Sequence, residues 1–343
     1  MTKPTASGLD GINVADTLIS LVDGERGQLV IAGSDVEQLA ASATFEQACA
    51  RVLAAGGGTA PAPDSIDLGP ARVAAWELVP RLGDALDLAD GMDALRTALA
   101  HVPATGDDRA DALAVLGAAP VFVAAWSRRR ANHAALAPDP TLSHAADYVR
   151  MTTGAAPAPA AITALDAYLV TVIDHGMSAS TFTARVIAST ASDLVSAIVG
   201  AVGALKGPLF GGAPGPVLDM LDAIAEPGHA EAWLLAELAA GRRIMGMGHR
   251  IYRVRDPRAA VLETAVKGLA SDRLALARAV EAAAAKILRE RKPDRPLAAN
   301  VEFYTAVLLD AVGRVAGWSA HVIEQRRTGR LIRPASTYVG PRP

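Results

Sequence analysis

Residues 161–205, AITALDAYLVTVIDHGMSASTFTARVIASTASDLVSAIVGAVGAL, decide the fold class. This stretch predicts two long helices, Ala161 to Ile173 and Ser180 to Leu205, on either side of a polar turn at Asp174 to Ser178. Both predicted helices are apolar on nearly every face, and helices of that kind are buried in a protein core. The stretch therefore predicts a helical core that is interrupted by one short polar turn.

The composition of the whole chain also favours helices over strands. Hydrophobic residues make up 51% of the 343 residues, whereas aromatic residues make up only 4%. Alanine is abundant and β-branched runs are short, which favours helix on propensity alone. We therefore expect an all-α protein of two or three domains with a sizeable core.

Helical periodicity extends over most of the chain. From Val36 onward, apolar residues recur at helical spacing. Gly/Pro-rich breaks at Gly56 to Pro63, Pro138 to Pro140 and Gly154 to Pro159 separate one helix from the next. The segment Asp23 to Ile31 alternates weakly between glycines, which predicts a short hairpin before the helices.

A change in charge along the chain predicts two domains. Charged residues become more frequent from Val217 to Arg291, as expected of a smaller and more exposed helical unit. We expect residues 1–211 and 314–343 to form a large helical domain, and residues 212–313 to form a small helical domain.

Charge, cysteine content and hydropathy argue against several classes of protein. A net charge of −3 does not suit nucleic acid or a membrane surface. The single cysteine, Cys49, rules out an internal disulfide and is predicted to be a small apolar filler on a helix. The uncharged stretch Ala112 to Ser127 is shorter than a membrane span, and Met1 to Asp10 lacks the apolar core of a signal peptide. We expect a soluble, cytoplasmic protein.

Four separated stretches contain side chains suited to binding carboxylates and moving protons. They are Asp174-His175-Gly176-Met177-Ser178-Ala179-Ser180-Thr181, Gly207-Pro208-Leu209-Phe210-Gly211-Gly212, Met245-Gly246-Met247-Gly248-His249-Arg250 with Asp256-Pro257-Arg258, and Asn300-Val301-Glu302-Phe303. Glycines allow a backbone to approach a ligand closely, and guanidinium groups grip carboxylates and phosphates. Walker A, Gly-x-Gly-x-x-Gly, paired zinc-ligand and Gly-x-Ser-x-Gly motifs do not occur, which disfavours metal and nucleotide-cofactor chemistry.

Taken singly, each candidate side chain also has a structural explanation. His249, preceded by two glycines and followed by arginines, is either a functional histidine or a solvated, capping one. Glu302, inside an apolar run, is either a base with a raised pKa or a first-turn residue favoured by the helix dipole. His175 is equally typical of a satisfied buried histidine, and Phe210 of a packed core aromatic.

Together, these motifs resemble the citrate synthase family. The resemblance extends from Gly8-Leu9-Asp10-Gly11 to Tyr338-Val339-Gly340-Pro341, nearly the whole chain. It implies an all-α fold in which the large domain dimerises and the small domain carries the CoA-binding and catalytic loops. It also implies condensation of acetyl-CoA or propionyl-CoA with oxaloacetate to release CoA. It also implies that no cofactor is bound permanently, since acyl-CoA is a co-substrate.

The resemblance implies a role for each matching residue. His249 would hydrogen-bond the keto oxygen of oxaloacetate, and Glu302 would be the base that removes a proton from the acyl group. The residues implied to bind the keto acid are His175, Arg258, Arg314 and Arg326. The residues implied to lie along CoA are Met245, Gly246, Gly248, Arg250 and Arg253.

Four departures from the family pattern bear on activity. Phe210 stands where the family has a catalytic His, and loss of such a hydrogen-bond donor typically costs about 10²- to 10³-fold in rate. Ser178 replaces the usual Asn, and Glu302 replaces the usual Asp. The connection between Gly313 and Arg314 is also shorter than in relatives, by about a dozen residues.

Two functional hypotheses remain open at this point. In the first, the chain is a condensing enzyme with reduced activity. In the second, it is a catalytically weak paralogue that serves as a ligand-binding or regulatory subunit beside an active homologue. Because Arg326 is implied to reach a neighbouring subunit's site, either hypothesis requires at least a dimer, of identical or homologous chains. A helical scaffold without a ligand leaves the placement of the arginines and glycines unexplained.

Overall fold

The described part of the chain is mostly helical and begins with one small sheet. This computed structural model describes residues 9, 12–58, 62–207, 214–244, 246–247, 254, 256–265, 272–291 and 307–333. The strands β1 (Ser20–Asp23), β2 (Gln28–Ile31) and β3 (Ser34–Asp35) pair antiparallel in the order β1-β2-β3. Ser20 pairs with Ile31 and Asp23 with Gln28. The predicted hairpin is therefore confirmed.

The helices follow the predicted periodicity from Val36 onward. They are α1 (Val36–Ser42), α2 (Phe45–Gly57), α3 (Gly69–Trp76), α4 (Gly91–Leu99), α5 (Asp108–Arg130), α6 (His144–Thr153), α7 (Pro159–Val172), α8 (Ala179–Ala188), α9 (Leu194–Leu205), α10 (Pro214–Ile224), α11 (Ala230–Ala239), α12 (Pro257–Ala265), α13 (Asp272–Arg291) and α14 (Val307–Thr328). Short 3-10 helices occupy Val79–Arg81, Gly83–Asp87 and Pro227–His229. The all-α fold class is confirmed, and each predicted Gly/Pro-rich break lies at or between helix ends, with Pro138 to Pro140 inside the longer connection from α5 to α6.

Side-chain caps explain where many of these helices begin. The capping residues of α1, α2, α4, α5, α6, α8 and α9 are Asp35, Thr44, Asp90, Asp107, Ser143, Ser178 and Asp193. Each accepts a hydrogen bond from a first-turn backbone N–H, and loss of such a cap costs about 1 kcal/mol. Thr44 and Gln47 form a reciprocal capping box at α2. Local polar residues therefore define these helix starts.

The predicted helix Ser180 to Leu205 is wrong in one respect, because it is two helices. Residues 189–193 separate α8 from α9. Ala191 has a φ of 64°, and Asp193 accepts hydrogen bonds from the Ser196 backbone at 2.8 Å and from its hydroxyl at 2.7 Å. Polar side chains that hydrogen-bond nearby backbone groups compete with helical hydrogen bonds, so the helix ends and the chain turns at residues 189–193. The two helices then pack against each other.

The first core forms around α14, which packs against α2, α5, α7, α8 and α9. Its Trp318 is among the largest fully buried side chains. Glycines allow the close approach of these helices. A Cβ on Gly56 would overlap the carbonyl oxygen of Ala320, and a Cβ on Gly313 would lie 2.5 Å from Cγ2 of Val172. Side-chain volume at these two positions therefore limits how closely α14 can lie to α2 and α7.

A second core joins α10, α11 and α13. Its buried side chains include Val217, Met220, Leu221, Leu234, Val280, Ala284 and Ile287. These helices lie within the range predicted for the small domain. The helix α12 comes from the same range but packs against α7 and α1, and its Leu262 belongs to the first core. The predicted domain boundaries remain a prediction.

The helix α5 belongs to the core despite its length. It has 23 residues and continues through Pro120, so it is longer than the uncharged stretch suggested. Within the described ranges it alone is long and apolar enough to cross a membrane, and 72% of its most apolar window is buried inside the protein. It packs against α3, α4, α6 and α14. Burial of this kind is typical of a core helix.

Candidate functional site

A buried carboxylate holds the turn that follows α7. Oδ2 of Asp174 accepts hydrogen bonds from the Ser20 hydroxyl and, at 2.9 Å, from the Gly176 N–H. Gly176 has a φ of 63°, a conformation that favours glycine. His175 lies between these two anchored residues and is 7% exposed. The turn therefore presents a histidine from a fixed backbone.

The helices α8 and α14 extend this anchor. His321 Nε2 lies 3.2 Å from Asp174 Oδ1, and His321 Nδ1 lies 3.0 Å from Nη1 of Arg185. Arg185 donates to Glu324 Oε2 at 2.6 Å and to Gln325 Oε1 at 2.9 Å. None of these five side chains is more than 3% exposed. We call Asp174, His321, Arg185, Glu324 and Gln325 the buried polar cluster.

The buried polar cluster keeps Asp174 ionised. Burial acts to raise the pKa of Asp174, but its interaction with His321 and the hydrogen bonds from Ser20 and Gly176 outweigh burial and hold the pKa below its ordinary value. An ionised carboxylate accepts hydrogen bonds and donates none. Asp174 is therefore an acceptor for all of the groups around it.

Ser178 and Ser180 fix the beginning of α8. Ser178 Oγ caps the helix at Thr181 N, and it lies 3.0 Å from Thr181 Oγ1 and 3.2 Å from Ser180 Oγ. Ser180 is fully buried and accepts a hydrogen bond from Nε1 of Trp318 at 3.1 Å. These contacts give both serines a structural role and join α8 to α14 beside the His175 turn.

Arg314 lies on the face of α14 that meets the turn. Residues three, four and seven apart share one face of a helix, as do Arg314, Gly317 and His321. A Cβ on Gly317 would overlap the carbonyl oxygen of Ile173 and lie 2.7 Å from Asp174 Oδ1. Arg314, which is 7% exposed, is therefore one helical turn from the point where α14 touches the His175 turn.

Arg258 lies near the beginning of α12 and is oriented by Asp256, two positions earlier in the chain. Its Nε and Nη2 donate to the two carboxylate oxygens of Asp256 at 3.0 and 2.9 Å. Arg258 is 2% exposed. Because α12 packs against α7, the helix of Arg258 lies beside the helix that leads into His175. The structure thus brings together the elements that carry His175, Arg258 and Arg314.

Arg326 is placed apart from these residues within the chain. It follows Arg314 by twelve positions, about 18 Å along a helix. Its guanidinium pairs with Asp108 and donates to the carbonyl of Ser192. Arg326 therefore ties α14 to α5 and to the loop before α9. Its role in a neighbouring subunit's site remains a prediction.

Several predicted site residues lie outside the described residues. They are Phe210, Met245, Gly248, His249, Arg250, Arg253 and Glu302. From the predicted CoA segment, the structure describes Gly246, which is buried with a φ of 73°, and Met247, which packs against the second core. The positive φ gives a physical reason for glycine at position 246. The catalytic and CoA-binding roles remain predictions.

Cys49 is buried in α2, as the sequence predicts. Burial, reinforced by the carboxylates of Glu46 and Asp166, raises the pKa of its thiol well above the ordinary value. A protonated, buried thiol is a poor nucleophile and metal ligand. Across the described ranges, no group of three or more His, Cys, Asp or Glu side chains is placed to hold a metal ion.

A cavity of about 830 Å³ lies near the carboxyl end of α14. Its lining includes Phe182, Arg185 and Arg327, whereas His175, Arg258 and Arg314 do not line it. Leu9 and Arg333 at its edge adjoin ranges outside the described residues. Among the described residues, the cavity is therefore distinct from the predicted keto-acid site.

The sequence analysis assigned no role to Ser20, Arg185 or His321. Ser20 and Asp174 are 154 positions apart, and Arg185 and His321 are 136 positions apart. A local sequence pattern does not indicate hydrogen-bond partners that lie so far apart in the chain. The sequence did contain one indication of this cluster. His321, Glu324 and Gln325 form a polar stripe at helical spacing in an apolar helix, which predicts that they have buried hydrogen-bond partners.

Comparisons with known proteins show the family of the chain. The chain matches the model of the family described as "Citrate synthase, C-terminal domain" over residues 8–335. It is 39% identical to "Putative citrate synthase 2" of Mycobacterium tuberculosis, over 98% of this chain and 93% of that protein. It is 33% identical to the "2-methylcitrate synthase" of the same species, over 99% of this chain and 93% of that protein.

A solved structure shows the same fold. The chain is similar to citrate synthase from Thermoplasma acidophilum in a ternary complex with carboxymethyl coenzyme A and oxaloacetate. The TM-score is 0.87 and the sequence identity is 27%, over 100% of this chain and 98% of that chain. The likeness therefore extends over both cores.

Proposed function

Because this chain belongs to the citrate synthase family, whose members are acyltransferases that form a carbon–carbon bond, we propose that it condenses an acyl-CoA with oxaloacetate and releases CoA. The observation that carries this proposal is the meeting of the His175 turn with the helices of Arg258 and Arg314. Two buried arginines on helices that pack against the helix leading into a histidine turn suit a site for a small dicarboxylate. The T. acidophilum enzyme was solved with oxaloacetate.

The proposed reaction divides the chemistry among separate side chains. Glu302 takes a proton from the carbon next to the thioester, and the resulting enolate attacks the keto carbon of oxaloacetate. His249 hydrogen-bonds the keto oxygen and gives it a proton, so that this oxygen becomes a hydroxyl, and the proton held by Glu302 restores His249. Water then cleaves the carbon–sulfur bond, so that CoA leaves as a thiol. Arg258 and Arg314 hold the carboxylates, whose charge does not change in these steps.

The finer proposal is that condensation is slow. Phe210 cannot donate a hydrogen bond to the thioester oxygen when negative charge develops there, and such a donor is worth about 10²- to 10³-fold. Phe210→His is therefore expected to raise kcat by about 10²-fold and to leave oxaloacetate affinity unchanged. Phe182→His, at a partly buried phenylalanine on the separate cavity, is the matched control and should not raise kcat.

The decisive assay is release of CoA from purified protein with oxaloacetate and either acetyl-CoA or propionyl-CoA. A thiol reagent suits this measurement because Cys49 is buried and contributes little background. Both acyl groups require testing, since relatives of the chain include proteins named citrate synthase and 2-methylcitrate synthase. A wild-type rate equal to that of an ordinary citrate synthase would contradict the argument from Phe210.

The alternative function is a ligand-binding or regulatory subunit in the cytoplasm. Phe210 and Ser178 favour it, because both replace family residues that interact with substrate. This alternative predicts that oxaloacetate binds without CoA release, and that the chain dimerises with an active homologue and changes its rate. The condensing enzyme predicts instead a homodimer with its own activity.

A further inference from the structure

We propose that His321 is a positioning residue for the oxaloacetate-binding turn, held by Arg185 as a neutral imidazole with its proton on Nε2. This inference rests on the proposed function, because the ligand that the turn positions is the keto acid. His321 has no contact with substrate in this proposal and acts through Asp174 on His175.

The hydrogen-bond partners of His321 assign its proton. A guanidinium group has donors but no acceptor. Because Nη1 of Arg185 lies 3.0 Å from Nδ1, that nitrogen must be the acceptor, and the proton must be on Nε2. Nε2 lies 3.2 Å from Asp174 Oδ1, close enough for an electrostatic interaction but without the geometry of a hydrogen bond. The N–H dipole therefore stabilises the Asp174 carboxylate.

Charges of both signs surround the ring, since Asp174 Oδ1 lies 3.2 Å from Nε2 and Glu324 Oε2 lies 3.9 Å from Nδ1. A proton on Nδ1 would face the Arg185 guanidinium, whose charge is itself paired with Glu324 at 2.6 Å. Glu324 also accepts a hydrogen bond from Leu18 N at 2.7 Å, two positions before Ser20. The cluster thus fixes both the ring of His321 and the segment that leads to the Ser20 hydroxyl.

The contact at Oδ1 decides how Asp174 is oriented. Its Oδ2 already bonds Ser20 and Gly176, so His321 is the side-chain partner at Oδ1. Loss of the His321 contact allows the carboxylate to rotate and weakens its bond to Gly176. His175 lies between these two residues and would move with them. A displacement of about 1 Å in a substrate-positioning group costs on the order of a hundredfold.

Two substitutions separate positioning from packing. In His321→Gln, the side-chain amide nitrogen occupies the place of Nε2 and keeps an N–H beside Asp174. In His321→Asn, the shorter amide takes the place of Nδ1, so it accepts from Arg185 and no longer reaches Asp174. We expect the KM for oxaloacetate to rise about tenfold or more in His321→Asn and to change less than about threefold in His321→Gln, with kcat little changed in both.

The matched control is His144→Asn. His144 is fully buried, and neither of its ring nitrogens has a hydrogen-bond partner within the described chain. Its replacement should lower stability without changing the KM. Equal KM values for His321→Gln and His321→Asn would overturn the positioning role.

A spectroscopic measurement tests the proton assignment without relying on activity. Nitrogen NMR of histidine-labelled protein, with His321→Gln to identify the resonances, should show the Nε2–H form. An imidazolium or an Nδ1–H ring would overturn the assignment. Failure of the wild type to bind oxaloacetate in calorimetry would instead refute the proposed function and the positioning role, and the spectrum would still decide the tautomer.

Discussion

Replacement of Gly317 by alanine tests the contact on which the site depends. In a helix that is free of neighbours, Gly→Ala gains about 1 kcal/mol through helix propensity. Here the new Cβ would overlap the backbone carbonyl oxygen of Ile173 and lie 2.7 Å from Asp174 Oδ1 and 3.0 Å from Asp174 Cβ. A backbone carbonyl cannot rotate away as a flexible side chain does, so α14 and the end of α7 must separate.

The expected magnitude follows from these two opposing effects. Overpacking of a core costs about 1 to 3 kcal/mol. After the gain in helix propensity is subtracted, Gly317→Ala should lower the free energy of unfolding by up to about 2 kcal/mol. Because the displaced atoms belong to the residues that precede His175, the KM for oxaloacetate should rise about tenfold as well.

Urea unfolding and steady-state kinetics together provide the assay. Gly203→Ala is the matched control, since it lies inside α9 and its Cβ would have Arg96 Cδ at 3.9 Å, an ordinary contact. This control should be neutral or more stable by up to about 1 kcal/mol, with sedimentation to show that assembly is unchanged. A Gly317→Ala protein as stable as the control, with an unchanged KM, would refute the close approach of α14 to the turn.

Three other predictions test stability, binding and assembly. Burial raises the pKa of Asp166 from 3.8 to about 6. The protonated side chain therefore stabilises the folded protein fully below pH 3.8, and this contribution to the free energy of unfolding is lost as the pH rises through about 6. Asp166→Asn should therefore stabilise the protein at pH 8, on the order of 1 kcal/mol because the side chain is only partly buried, and much less at pH 4 in urea unfolding. Arg258→Ala should weaken oxaloacetate binding by about 2 to 4 kcal/mol in calorimetry, and unchanged affinity would remove Arg258 from the site. Analytical ultracentrifugation should show a two-fold dimer, and a monomer at micromolar concentration would contradict the predicted assembly.

Much of the local structure was predictable because its causes are local. The caps at Ser143 and Ser178 involve partners only three residues away. The helix breaks follow glycine and proline for the same reason. The error at residues 189–193 has a local cause too, since the Asp193 cap was hidden inside an apolar stretch that periodicity alone could not divide.

The amino-acid sequence by itself determined that the chain is helical, where most helices begin and end, and which family it belongs to. These properties depend on backbone bonding over a few residues, on the spacing of apolar side chains and on motifs that remain in order. Only the tertiary structure decided that His321, Arg185 and Ser20 hold the Asp174 turn, and that Arg326 pairs with Asp108 instead of lying beside Arg314. A buried polar group must find a partner, but which partner it finds depends on helices that approach across more than a hundred positions of chain. Glycine at positions 313 and 317 permits that approach for α14.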